Sequence, residues 1–304
     1  MSNLIDFLSS SIRLTIPLTF AALGGMYSER AGILNIALEG MLLTGAFVSA
    51  ATTFYTNNPW IGILSAVIAG GIVGLLHAFL CNTLRVNQLV SGLAINLVAS
   101  GLTSFLARLV FDGNSAQKLA GIQTIRIPIL SSIPVIGILF QQDIFVYLLL
   151  FLIIFSTYFI FHTNPGLTLR AVGEYPQAVE TVGISVLKVR YLAVIISGCL
   201  ASLGGAYLSL VQVRYFAEGM TAGKGFIAIA ALIFGKWHPI GVSLTSLLFG
   251  ATEALQLRIQ ALGINIPYQF LIMLPYAVAL FALITLTKKY APPAALGITY
   301  EKKG

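Results

Sequence analysis

Apolar residues run in long blocks along almost the whole chain. From Leu14 to Leu286, stretches of about 20 residues recur with few charges, the length a helix needs to cross a hydrocarbon core of about 30 Å. About nine spans are predicted, near Leu14–Met26, Ile33–Phe54, Trp60–Leu80, Leu89–Phe111, Ile144–Phe161, Tyr191–Val213, Phe226–Phe234, Ile240–Leu257 and Tyr268–Leu286. The seventh is too short to cross alone. It either extends back to Gly219 or is a broken or re-entrant helix, which needs protein or a wet cavity around it. The expected fold is all-α: a polytopic membrane bundle in which residues 1–304 form one transmembrane domain. Two loops interrupt it, a proline-bearing one at 112–143 and a second at 162–190. Short segments of alternating polarity, the mark of a membrane β-barrel, do not occur.

Composition agrees. The 304 residues are 58% apolar and 9% charged, against about 25% charged in soluble domains, and the mean hydropathy is +0.93. The net charge of +7 is scattered through loops and tail, as the positive-inside rule produces, and does not indicate nucleic acid. Placing the 162–190 loop in the cytoplasm puts Arg170, Lys188 and Arg190 inside. Arg30, Arg85, Lys236 and the C-terminal Lys288, Lys289, Lys302 and Lys303 then also lie inside. Arg13, Arg108, Lys118, Arg126, Arg214, Lys224 and Arg258 fall outside. A cytoplasmic C-terminus and an external 112–143 loop are therefore expected. Met1–Ser11 lacks the basic start of a cleavable signal. Cys81 and Cys199 lie far apart at or in apolar runs and read as packing residues.

Polar residues within the apolar runs are the candidates for chemistry. Of ten acidic residues, Glu39 and Glu253 fall well inside predicted spans, where an acid costs about 2.5–3.5 kcal/mol on insertion scales. Asn35 lies four residues before Glu39, which predicts one helix face. The pair is either part of a substrate path or a buried packing contact. Glu253, with Gln256 one turn on, reads as reaching for the interface. Gln88, Gly92, Asn96 and Ser100 recur at four-residue spacing and predict a polar stripe, with Ser91, Thr103 and Ser104 beside it and Asn87 nearer the helix start. The stripe is read as a pathway lining for a polar solute, or as interhelical hydrogen bonds worth about 0.6–2 kcal/mol each. Gly70 and Gly74 predict close helix packing. Glu39-Gly40-Met41 and Glu218-Gly219-Met220 hint at an inverted repeat, an arrangement common in transporters.

Gly219-Met-Thr-Ala-Gly-Lys-Gly225 resembles a phosphate loop superficially. It fails because the glycine spacing is one short and Gly225 stands where a hydroxyl must hold magnesium. His77, His162 and His238 lack metal-ligand spacing. Neither GxSxG nor HExxH occurs, so an enzyme reading has nothing to rest on.

The segment Gly173–Ile184 is a short amphipathic insert between apolar runs. Pro176 suits a first helical turn. Glu174 and Glu180 complement a positive helix start. Ala178, Val179 and Val182 give an apolar side, and Gly183 permits a stop. A short helix lying along the membrane surface would present that side to a partner.

Ala178-Val-Glu-Thr-Val-Gly183 resembles the A-A-x-x-x-G core of the cytoplasmic loop of ABC importer permeases. Gln177 replaces the general glutamate and Val179 the second alanine. Leu169-Arg-Ala-Val-Gly-Glu-Tyr-Pro-Gln-Ala178 is similar to the L-R-A-x-G-x-N-P-x-A loop of the permeases for nucleosides and simple sugars, with Tyr175 for the usual asparagine. Three further blocks resemble the same branch: Ser28–Met41, Asn87–Asn96, and Gly223–Ala230 with Phe234–Pro239. The match is closest to nucleoside permeases. The resemblance implies a multi-pass permease subunit in a bacterial cell membrane, working beside a second permease, identical or homologous. Two ABC ATPase subunits and an external substrate-binding protein would complete the machine. ATP and magnesium would be held by the ATPase, with no cofactor in this chain. It also implies that Glu174, Pro176, Ala178 and Gly183 couple to the ATPase, and that Asn35, Glu39, Asn87, Gln88, Asn96 and Ser100 serve the substrate path. A simple sugar is the alternative cargo. A stand-alone ion-coupled transporter using Glu39, and a scaffold protein, are the remaining alternatives.

Overall fold

Every regular element among the described residues is helical, because backbone groups surrounded by hydrocarbon must satisfy one another within the segment. The computed structural model describes residues 2–111, 118–124, 141–262, 267–286 and 292–301. Most of the 112–143 loop, together with Arg126, Lys288, Lys289, Lys302 and Lys303, lies outside the described residues. In chain order the helices are α1 (Ser2–Arg30), α2 (Leu38–Thr56), α3 (Pro59–Ala78), α4 (Gln88–Val110), α5 (Ile144–His162), α6 (Asn164–Glu174), α7 (Pro176–Thr181), α8 (Val186–Tyr207), α9 (Lys224–Phe234), α10 (Pro239–Ala261) and α11 (Tyr268–Leu286). α3 and α8 each run on into a π-helical turn, Phe79–Thr83 and Leu208–Gln212.

Local chemistry sets the boundaries. Asn58, Asn87, Asp143, Thr163 and Ser185 each place a side-chain oxygen on the first backbone N–H groups of the helix that follows, which supplies donors that a helix start leaves unpaired. Prolines open α3, α6, α7 and α10, where the missing N–H costs nothing.

By length and apolarity, six of the described helices can cross a bilayer: α1, α3, α4, α5, α8 and α10. The expectation of about nine spans is not met by that measure. The predicted second span, from Ile33, becomes helical only at Leu38. The predicted seventh does not extend back to Gly219; α9 has 11 residues, and at about 1.5 Å per residue it is some 16 Å long, half of a hydrocarbon core.

α1 and α8 form the centre. In their most apolar stretches 67% and 72% of residues are buried, against 28% in α3, α4 and α5. α8 packs on α1, α2 and α3 together. Small residues allow this. A Cβ on Gly70 would sit 2.3 Å from the carbonyl of Gly198, and one on Gly198 2.1 Å from the carbonyl of Gly70. The α3–α8 seam is thus backbone against backbone, the role predicted for Gly70 and Gly74. Leu64, Ile68 and Ile72 on α3, Leu93 and Leu97 on α4, and Phe151 and Ile154 on α5 face outward, as lipid-facing surfaces require.

Candidate functional site

Two stretches of non-helical backbone run through the bundle, and most of the singled-out polar residues converge on them. The first is the unwound segment 31–37 between α1 and α2. Asn35 lies in it, so Asn35 and Glu39 do not share a helix face, contrary to the spacing argument. Asn35 is fully buried and donates from Nδ2 to Ser197 Oγ on α8 at 2.8 Å. The α4 stripe clasps the same segment. Gln88 Oε1 accepts from the Leu34 N–H at 2.7 Å. Asn96 donates to the Ile36 carbonyl at 2.9 Å and accepts from the Gly40 N–H at 2.8 Å. His77 on α3 sets one ring nitrogen 3.2 Å from the Leu34 carbonyl and the other 2.9 Å from Ser91 Oγ. Side chains therefore replace the intrahelical bonds that the break gives up, which is what allows irregular backbone at this depth.

Not every stripe member takes part. Asn87 is the N-cap of α4, accepting from the Leu89 and Val90 N–H groups. Ser100 is exposed, while Ala99 and Thr103 are buried. The reason is helical pitch: at about 100° per residue, twelve residues from Gln88 carry Ser100 roughly 120° around the helix.

The second stretch, 213–223, precedes α9, and Glu39 holds it. Glu39 Oε1 accepts from the Thr221 hydroxyl at 2.6 Å and the Gly223 N–H at 2.9 Å, and Oε2 accepts from the Gly225 N–H at 2.6 Å. A carboxylate in the first turn of α2 thus caps the start of α9, where the helix dipole is positive. The close approach depends on Gly225, on which a Cβ would lie 2.4 Å from the Glu39 nitrogen. Lys224, next in line, pairs with Glu253 of α10 at 2.5 and 2.7 Å, so Glu253 meets a lysine inside the bundle instead of reaching for the interface. The lookalike phosphate loop is therefore a wrapping for Glu39. Glu218, in the other Glu-Gly-Met, forms an exposed ion pair with Arg108 at 3.0 Å. The two triplets thus sit in unlike settings, one in a helix and one in a loop.

The third feature is the α6–α7 loop at one end of the bundle. Gly173 packs against the end of α1, where a Cβ would be 2.1 Å from the Arg30 carbonyl. Pro176 is buried at the start of α7. The expected apolar side is divided: Val179 turns inward with Val172, Val186 and Tyr300, while Ala178 and Val182 are exposed beside Tyr175 and Thr181. Gly183 follows the helix at φ +81° with open space around it, so it is the backbone angle that calls for glycine. Glu174 accepts from the Ala294 N–H at 3.2 Å. That contact, Arg190 and Tyr300 had no signal in the hydrophobic pattern. Thr221, Gly223 and Lys224 did have one: a lysine in an apolar run, 29 positions before Glu253.

The chain matches, over residues 7–286, the family described as branched-chain amino acid transport system / permease component. It is 36% identical to the guanosine ABC transporter permease protein NupQ of Bacillus subtilis over 99% of both chains. It is 40% identical to the nucleoside ABC transporter permease protein NupC of Lactococcus lactis subsp. cremoris, over 94% of this chain and 93% of that one. A putative glucose ABC transporter permease protein, TsgC13 of Haloferax volcanii, is 37% identical over 87% of this chain and 80% of its own length.

Proposed function

Since this chain belongs to the family of branched-chain amino acid transport system permease components, and so is a transport subunit and not an enzyme, we propose that it forms the membrane pathway of an ATP-binding cassette importer for nucleosides. Similarity along almost the whole chain to the guanosine and nucleoside permeases carries this reading.

In this reading the membrane is crossed about nine times, α2, α9 and α11 joining the six long spans, with α9 a half-length segment. The end bearing α6 and α7 is cytoplasmic, as is the C-terminus. Arg30, Arg85, Arg170, Lys188 and Lys236 then share that side, in keeping with the positive-inside rule. The exposed Ala178, with Glu174, Pro176 and Gly183 shaping the turn, docks on an ATPase subunit. A second permease and an external binding protein complete the assembly. Asn35, Gln88, Asn96 and Glu39 serve the pathway by holding its broken walls, while Asn87 caps the start of α4 and Ser100 stays exposed on that helix. ATP-driven closure moves the spans as rigid bodies and changes the side of access.

The test is uptake of radiolabelled guanosine by cells that co-express the chain with its ATPase and binding protein. ATP-dependent uptake, competed by other nucleosides and not by glucose, is expected. Competition by glucose alone would select the simple-sugar reading, which the similarity to TsgC13 favours. Replacing Ala178 with arginine is expected to release the ATPase during purification.

A further inference from the structure

We infer that the C-terminal segment 292–301 is a strap that positions the α6–α7 loop against the unwound segment 31–37, with Arg190 and Tyr300 as positioning residues for coupling. The inference deepens the proposed docking role of that loop and rests on it.

The strap touches four separate parts of the bundle with polar contacts. On the loop, the Ala295 N–H donates to the Gly173 carbonyl at 2.8 Å, and Ala294 donates to Glu174 Oε2. The Tyr300 hydroxyl donates to the Glu180 carboxylate. On the unwound segment, the Gly297 N–H donates to the Gly32 carbonyl at 3.2 Å. On α8, Arg190 Nη1 donates to the Ile298 carbonyl at 3.1 Å. Ahead of α4, Arg85 pairs with Glu301 at 2.7 Å. A segment without regular secondary structure frays unless it is tied down, and this one is tied at each of these places.

Arg190 makes the arrangement cooperative. Its side chain is 1% exposed and forms no ion pair among the described residues. Its charge is met by the Ala31 carbonyl at 3.1 Å, the Ile298 carbonyl and the face of Tyr300, 5.9 Å from the ring centroid. A buried cation left without partners is strongly unfavourable. Withdrawing the strap would strip Arg190 of the Ile298 carbonyl and the Tyr300 ring together, so strap, loop and unwound segment hold or release as a unit. Tyr300 also packs with Val172 and Val179 of the loop. Burial and the neighbouring Glu180 carboxylate push its phenol up to about 12, so the hydroxyl keeps its donor proton at cellular pH. A load applied to α7 thereby reaches Gly32, and from there the Leu34 backbone held by Gln88 and His77.

Two variants test this in the full complex: deletion of 293–304, and Tyr300→Phe as a milder change. In the purified chain, hydrogen exchange of the amides at 173–184 is expected to quicken at least tenfold in the deletion. In the complex, the ATPase subunits are expected to co-purify and hydrolyse ATP at the basal rate. Hydrolysis stimulated by guanosine and binding protein should fall at least tenfold in the deletion and about threefold in Tyr300→Phe. Unchanged exchange overturns the strap. Faster exchange with stimulated hydrolysis within twofold of the intact protein overturns its role in coupling. Failure of the docking reading shows separately, as an Ala178→Arg chain that still retains its ATPase.

Discussion

The two unwound stretches solve one problem with different chemistry. The 31–37 segment is held mostly by neutral groups on three other helices, with the Arg190 guanidinium on the Ala31 carbonyl at its start, so its load is spread over Gln88, Asn96, His77, Ser197 and Arg190. The 213–223 segment converges on one carboxylate, that of Glu39, with the Lys224–Glu253 pair beside it. Distributed amide contacts lose a fraction of their strength when one is removed. A single anion serving three donors loses all of them at once. The second break should therefore be the brittle one, and the first the tolerant one.

The largest expected effect is at Gly225. Gly225→Ala forces a Cβ into the Glu39 backbone, and a rigid overlap of that kind costs about 3 kcal/mol or more. Loss of both uptake and a cooperative melting transition in detergent should follow. Next is Glu39→Gln, which keeps the shape but turns an NH₂ toward backbone N–H donors. Hydrogen bonds to charged groups contribute about 1.5–3 kcal/mol each, so uptake should fall more than tenfold and the melting temperature by several degrees. Asn96→Ala unpairs the Ile36 carbonyl and the Gly40 N–H while Gln88 and His77 still hold Leu34. About 1–2 kcal/mol is expected at membrane hydrogen-bond strengths, seen as a smaller melting shift. If Asn96→Ala destabilises as much as Glu39→Gln, the contrast between the two breaks is wrong. The smallest effect is Ser100→Ala, within about 0.5 kcal/mol as for exposed positions generally. A change in guanosine KM without a melting shift would mark Ser100 as a contact of the solute.

Much of this was legible from residue order. Apolar blocks of helix length gave the long spans, and the shortness of Phe226–Phe234 flagged the half helix. Gln88 and Asn96 stood out as amides in an apolar run, read as a pathway lining or as interhelical hydrogen bonds, and in the fold both bond to backbone of the neighbouring broken segment and the start of α2. Asn35 misled because a four-residue spacing means a shared face only where the backbone is helical, and here it is not. Ser100 misled because a four-residue step drifts around a 3.6-residue helix. Gly219–Gly225 wraps the carboxylate of Glu39, which lies some 180 positions away in sequence, beyond any local pattern. Within the loop, Ala178 and Val179 look alike as residues. Only the packing of Val172, Val186 and Tyr300 decides which of them turns inward.

The glycine seam between α3 and α8 has a consequence for biogenesis. Gly70 leaves the ribosome 128 residues ahead of Gly198, a delay of roughly 6–26 s at ordinary synthesis rates of about 5–20 residues per second. During that interval the Gly70–Gly74 groove has no protein to fill it, and its exposed backbone faces lipid. Arrival of Gly198 closes it. The first half of the chain is thus inserted but unfinished until α8 emerges, and a pause in translation between the two is a period in which the nascent permease is open to quality control.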